Sequence, residues 1–334
     1  MRIVHLGEPG GELRVEGQRL LAVRGREVVG AVRLPQVRTL VLHGSYHLSG
    51  PAVARLLTAG VEVVFLTSDG RYRGRLETVP STAALLRTTQ ASVAGHAGRR
   101  LGLARAVVRN KLESQRRVLR ALRREPPAAW WQAVRLLGAA TTVAELSGAE
   151  GWATRAYFSV LRAALPQVRD EPRWRRRRRP APDPVNALLS YGYTLLLARM
   201  HTAVLVEGLD PYLGMLHVPG RARPSLVLDL MEEFRAPLVD FTVVRLLRRL
   251  STSDESWWEP AEQGVRLSWE VRRDLIAALE RRLNAHTRDV IRGGRVPWWR
   301  LIERQVEAFA RALRAGPQAY PAASAVSRRA RTRG

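Results

Sequence analysis

The chain has no cysteine and a single lysine, Lys111, in 334 residues. Without cysteine there are no disulfides, no thiolate zinc site and no cysteine nucleophile, as suits a reducing cytoplasm. With one lysine, arginine carries nearly all of the positive charge. No stretch reaches the ~18 uninterrupted apolar residues that mark a membrane-spanning helix. The most apolar segment, residues 186–206, is broken by Asn186, Ser190, Arg199 and His201. The opening residues MRIVHLGEPGG lack the apolar centre of a signal peptide. A cytoplasmic protein without membrane attachment is the expectation. Glycine-rich phosphate loops, G-x-S-x-G, H-E-x-x-H and EF-hand patterns are also missing, so nucleotide-loop, serine-hydrolase and zincin chemistries have no motif to stand on.

Acidic residues are scarce as well: 30 against 55 basic ones, for a net charge of +25. Self-repulsion of that size is tolerated best beside a polyanion, which makes nucleic acid the expected partner. The hydrophobic fraction of 46% is that of an ordinary folded protein.

The pattern along the chain predicts an α+β protein, a small N-terminal β-rich domain followed by a larger all-α-helical one. Short Val- and Leu-rich runs at Arg2–His5, Arg19–Val23, Val28–Val32, Val37–Leu42, Val61–Leu66 and Tyr72–Leu76 read as strands. Asp69-Gly70 reads as a hairpin turn, and Pro51–Ala59 as a helix. The expected division is a β domain over 1–80, a linker over 81–90, a helical domain over 91–316 and a basic, disordered tail over 317–334. Helices are expected at Ala83–Arg124, Ala128–Leu137, Glu150–Leu165, from Asp183-Pro184 onward, Ser225–Arg235, Pro237–Leu250, Ser268–His286 and Trp298–Arg314. The arginines recurring through Ala83–Arg124 are expected to form a positive surface. The tryptophan pairs 130–131, 257–258 and 298–299 are expected to anchor the core or an interface.

The densest chemistry lies in GMLHVPGRARPSLVLDLMEEFR, residues 214–235. Val227, Leu230, Met231 and Phe234 fall on one helix face. Asp229, Glu232 and Glu233 crowd the remainder, with His217 just upstream. Carboxylates that close need something positive among them. One answer is a hard divalent cation held by oxygens and an imidazole; the other is Arg221, Arg223 and Arg235. A second candidate block is GAEGWATRAYF, with Glu150 and Arg155. Read alone, Glu150 is most easily explained as a first-turn acid opposing the helix dipole. The RWRRRRR run, residues 173–179, combines Arg175, Arg176, Arg177, Arg178 and Arg179 with Trp174, suiting phosphate contact and base stacking.

Taken together, GAEGWATRAYF, DPVNALLSYGYTLL and LHVPGRARPSLVLDLMEEFR resemble, in order and setting, the CRISPR-associated adaptation integrases, the Cas-one endonucleases. The segment VLHGSYHLSGPAVARLLTAGVEVVFLTSDGRYRGRL is similar to that family's β domain, and the likeness runs over residues 1–315. The resemblance implies a homodimer that binds double-stranded DNA and assembles with the small Cas-two partner. It implies Mg²⁺ or Mn²⁺ held by Glu150, His217 and Glu232, with Asp229 binding it directly or through water and Glu233 as surface. Glu145 falls outside the matching block. The implied reaction inserts short DNA fragments at a repeat array by attack of a 3′-hydroxyl on a phosphodiester. Arg155, Arg175–Arg179, Arg221 and Arg223 are the expected DNA contacts. A branched-DNA metal nuclease without integrase activity and a non-catalytic nucleic-acid scaffold are the alternatives.

Overall fold

The computed structural model describes residues 2–7, 10–67, 72–76, 84–168, 171, 173–177, 181–217, 220, 223–250, 257–262 and 264–322. The expected turn at Asp69-Gly70, the boundary at 79–81, Arg178, Arg179, Arg221 and residues 323–334 lie outside them. The fold is α+β, with β-sheets at the N-terminus and a mostly helical remainder. Among the described residues no helix is long and apolar enough to cross a membrane.

Among the described residues up to 76 the strands are β1 Arg2–Leu6, β2 Gly11–Glu16, β3 Arg19–Arg24, β4 Glu27–Arg33, β5 Val37–His43, β6 Tyr46–Leu48, β7 Glu62–Leu66 and β8 Tyr72–Leu76. They form two four-stranded sheets, ordered β1-β5-β7-β8 and β4-β3-β2-β6. In the first sheet β1, β5 and β7 run parallel and β8 returns antiparallel. Parallel pairing requires a crossover, and helix α1, Gly50–Thr58, lies between β6 and β7 in the chain. Its N-cap Ser49 accepts from the Ala52 amide, with Pro51 in the first turn. Leu13, Leu20, Leu40, Leu42, Leu56 and Val63 fill a common core.

The remaining helices are α2 Ala84–Gly95, α3 Ala97–Ala121, α4 Ala128–Ala139, α5 Val143–Arg162, α6 Pro184–Val206, α7 Ser225–Phe234, α8 Phe241–Leu247, α9 Trp269–Asn284 and α10 Trp298–Ala315. Short hairpins pair Trp258–Pro260 with Val265–Leu267, and His286–Arg288 with Arg295–Pro297.

Packing divides the chain into two units that are not contiguous in sequence. The first comprises residues 1–81, 178–198 and 254–276; the second comprises 82–177, 199–253 and 277–334. In the first unit, Leu195 and Ala198 of α6 pack on Val41, Val64 and Leu66. The parallel strands are thus apolar on both faces, as buried parallel strands are.

Two segment boundaries differ from expectation. Residues 84–90 belong to α2 and are no linker: Gln90 is fully buried, and its side chain bonds Asp210 N, Asp210 O and Leu213 O at 2.7–2.9 Å. Residues 317–320, expected to belong to the tail, are ordered: Pro317–Ala319 form a 3₁₀ turn and Tyr320 is buried edge-on against Phe309 at 5.4 Å. An aromatic side chain of that size outweighs the polar, small-residue composition around it.

Candidate active site

The site lies in the helical unit and is built by α3, α5, α7 and the loop before α7. Helix α5 starts at a Thr142 cap that accepts from the Glu145 amide. Glu145 in turn accepts from the Thr141 amide at 2.8 Å, a reciprocal arrangement of the capping-box kind. That gives Glu145 a structural task and sets Glu150 well past the first turn. The dipole explanation for Glu150 therefore fails, because the dipole acts within the first turn. Glu150 Oε1 accepts from Thr154 Oγ1 at 2.9 Å and is ion-paired to Lys111.

Helix α7 is buried nearly all round. Glu232 Oε2 stands 2.7 Å from Lys111 Nζ, and its Oε1 stands 3.2 Å from Arg235 Nε. One ammonium on α3 therefore joins carboxylates from α5 and α7. Burial pushes the Glu232 carboxyl up, but Arg235, then Lys111 and His217, more than offset this and hold it below the ordinary carboxylate value. Burial also works against the Lys111 charge, and Glu232 and Glu150 overcome it, raising the ammonium's pKa.

Asp229, fully buried, accepts four hydrogen bonds from the preceding loop. Its Oδ2 takes the Met215 and Leu216 amides at 2.6 and 2.9 Å; its Oδ1 takes the His217 amide at 3.0 Å and His217 Nδ1 at 2.7 Å. With Nδ1 turned to the Asp229 carboxylate, Nε2 is the His217 nitrogen left for another partner. Gly214 is required by close approach, since a Cβ there would lie 2.8 Å from both Asp229 Oδ2 and the Ser225 carbonyl carbon. Arg100 Nε completes the anchoring of the loop at Met215 O, 2.9 Å away.

Glu233 is not surface. It is 2% exposed, and its Oε2 accepts from Gln305 Nε2 at 2.8 Å and from Asn110 Nδ2 at 3.5 Å; both amides also bond Pro321 O. Sequence reasoning also missed Lys111 as a site residue. Its being the only lysine was the available signal.

The structure thus brings Glu150 and Glu232 together on Lys111, and His217 together with Asp229. Among the described residues no three His, Asp or Glu side chains stand as a ready metal-binding group. The donor set nevertheless fits a divalent cation. Two carboxylates already converge on one positive charge, His217 acts electrostatically on Glu232, and hard oxygen donors suit Mg²⁺ or Mn²⁺. Glu150 and His217, 19% and 18% exposed at their side chains, mark the open side.

The arginines divide. Arg99, though exposed, and half-buried Arg105 of α3 are tethered to Leu313 O and Ala140 O, whereas Arg109 and Arg120 are simply exposed. Arg155, Arg175, Arg177 and Arg223 are exposed, and Arg176 is half-buried. Trp174 leans on Phe158 at 6.4 Å, so one side of its ring is already engaged. Trp130, Trp257 and Trp298 are buried; Trp131 is exposed beside Arg116.

Fold and site together define an α+β protein whose helical unit carries converging carboxylates beside a carboxylate-oriented histidine. The family model described as CRISPR associated protein Cas1 matches residues 4–281, and the chain belongs to that family. It is 39% identical over 312 residues to a CRISPR-associated endonuclease Cas1 of Thermus thermophilus, covering 93% of this chain and 95% of the relative. It is 33% identical to a second endonuclease Cas1 of the same organism, covering 92% and 91%. A solved CAS1 protein from Thermotoga maritima shares the fold with a TM-score of 0.83 at 22% identity, covering 93% of this chain and 97% of that one. A casposase bound to integration product does so at 0.82 and 22% identity, covering 94% and 90%.

Proposed function

We propose that this chain is a metal-dependent DNA integrase and endonuclease of CRISPR adaptation, joining a 3′-hydroxyl of a short DNA fragment to a phosphodiester of the repeat array. The observation that carries the reading is the convergence of Glu150 and Glu232, from separate helices, on one cationic point. Glu150, His217 and Glu232 would hold Mg²⁺ or Mn²⁺, which when bound polarises the attacking hydroxyl and neutralises charge building on the phosphate. Asp229 serves as a positioning group: it fixes the His217 tautomer and ties the loop to α7. With four donors on its two oxygens it is better suited to this than to direct ligation. Thr154 orients Glu150, and Arg235 holds one oxygen of Glu232. Exposed Arg155, Arg175, Arg177 and Arg223 would grip double-stranded DNA by its backbone.

The relatives named as endonucleases and the fold shared with a Cas6-RT-Cas1–Cas2 complex support a DNA substrate and a Cas2-type partner, and the homodimer is carried by the family resemblance alone. The test is an integration assay with Mn²⁺, the small partner, a short duplex and a repeat-bearing plasmid. Joined product from the wild type, and none from Glu150→Ala, His217→Ala or Glu232→Ala, is the expected result. Nicking without joining would favour a branched-DNA nuclease. Unaltered DNA binding and no metal-dependent product from any form would favour a scaffold, a reading that draws on Lys111 and Arg235 already balancing the carboxylates.

A further inference from the structure

The basic residues pose a question of composition. In a chain that uses arginine at every other basic position, one lysine is retained, and it is the residue whose side chain lies between Glu150 and Glu232. A guanidinium is a planar fork with directional donors, whereas an ammonium is a compact point charge. Of the two, the ammonium more closely resembles a metal ion.

We propose that Lys111 is a resident stand-in for the metal: a positioning residue that keeps Glu150 and Glu232 converged while no cation is bound and releases them when one arrives. The inference rests on the metal reading above. Three features support exchange over a permanent ion pair. Arg235 claims Glu232 Oε1, leaving Oε2 to face Lys111. That Oε2 meets Nζ at 2.7 Å, and a compact divalent cation can occupy the same position between the two carboxylates. Finally, the lysine backbone is held while its four-carbon stem remains rotatable. The preceding residue, Asn110, is bonded to Glu233 and Pro321 O, and the Lys111 carbonyl accepts from Ser114 Oγ at 2.8 Å. The partly exposed Glu150 and His217 leave an open side toward which a four-carbon stem can swing.

Without the stand-in, two carboxylates brought together from α5 and α7 would repel, and the metal-free site would spread. With it, the site is preorganised at a cost: any metal must compete with a tethered positive charge. Removing the charge therefore weakens the empty protein and strengthens metal binding, and displacement of the ammonium as metal binds separates exchange from a permanent ion pair.

The single lysine gives the wild type its own reporter. Protein labelled with ¹³C at lysine Cε yields one lysine side-chain signal. It is titrated with Mg²⁺ while binding is measured in parallel by calorimetry, with Glu150→Ala as the control. The expected result is a lysine signal that shifts in step with Mg²⁺ binding in the wild type, with both lost in Glu150→Ala. Lys111→Met is expected to lower the melting temperature of metal-free protein and to bind Mn²⁺ at least tenfold more tightly. Mg²⁺ binding that depends on Glu150 but leaves the lysine signal in place overturns the stand-in and spares the metal site; so does Mn²⁺ affinity in Lys111→Met that is equal or weaker. Absence of any Glu150-dependent binding removes the metal reading and this proposal together. Should Lys111→Met not fold, the wild-type titration decides alone.

Discussion

His217 Nδ1 lies 2.7 Å from Asp229 Oδ1, and the same carboxylate holds the amides of residues 215, 216 and 217. Asp229 thus ties the loop to α7 and aims the imidazole in one step. Asp229→Asn leaves a single acceptor oxygen for donors that now share two. Under the proposed role of His217, strand transfer is expected to fall ~10–100-fold, the usual cost of losing a group that orients a ligand imidazole. Unfolding stability is expected to fall by about 2–3 kcal/mol, as for loss of a buried charged acceptor. His217→Ala should lose transfer with a much smaller stability change. Paired assay and urea denaturation check the contrast.

Gly214 tests the same loop from its backbone. A methyl group there meets Asp229 Oδ2 and the Ser225 backbone, which have little room to give. Gly214→Ala is expected to cost about 1–3 kcal/mol through overpacking, read as a lower melting temperature together with lost transfer.

Acid sensitivity is expected in the β unit. His43 is buried, bonds Tyr191 and faces His5, and burial followed by the His5 and Arg272 charges pushes its pKa down to about 3. The folded state therefore keeps His43 neutral while the unfolded state takes up a proton below its ordinary value. The stability it confers is full above about pH 6.5 and is lost as pH falls toward 3, with a slope approaching ~1.4 kcal/mol per pH unit. Urea midpoints from about pH 7 to 4 measure this, and His43→Asn should flatten the dependence.

Neutralising Arg175 and Arg177 together is expected to weaken duplex binding and to reduce the salt slope by ~0.9 for each phosphate that either side chain had neutralised. Fluorescence anisotropy at several salt concentrations checks it. An unchanged slope would make the pair bystanders.

Much of this architecture was legible in the residues, for reasons that also explain the gaps. Runs such as Val37–Leu42 are apolar enough to announce buried strands. Gly11–Glu16, with Leu13 and Val15 alone among polar residues, and the three-residue Tyr46–Leu48 fell below that signal. Helical periodicity placed α7 but assumed a polar face. In a helix buried nearly all round, Glu233 instead turns inward onto two amides. The inclusion of residues 178–198 and 254–276 in the β unit depends on packing between distant segments and leaves no local trace. Lys111 carries no motif of its own, and only its solitude in the composition pointed to it.

The central claim is that Glu150, His217 and Glu232 hold a divalent cation. A crystal soaked in Mn²⁺ and measured at the manganese absorption edge tests it most directly. The account predicts an anomalous peak among those three side chains, with the Lys111 ammonium displaced from between the carboxylates. A map with no peak there at saturating Mn²⁺, and Lys111 still bridging Glu150 and Glu232, would contradict it.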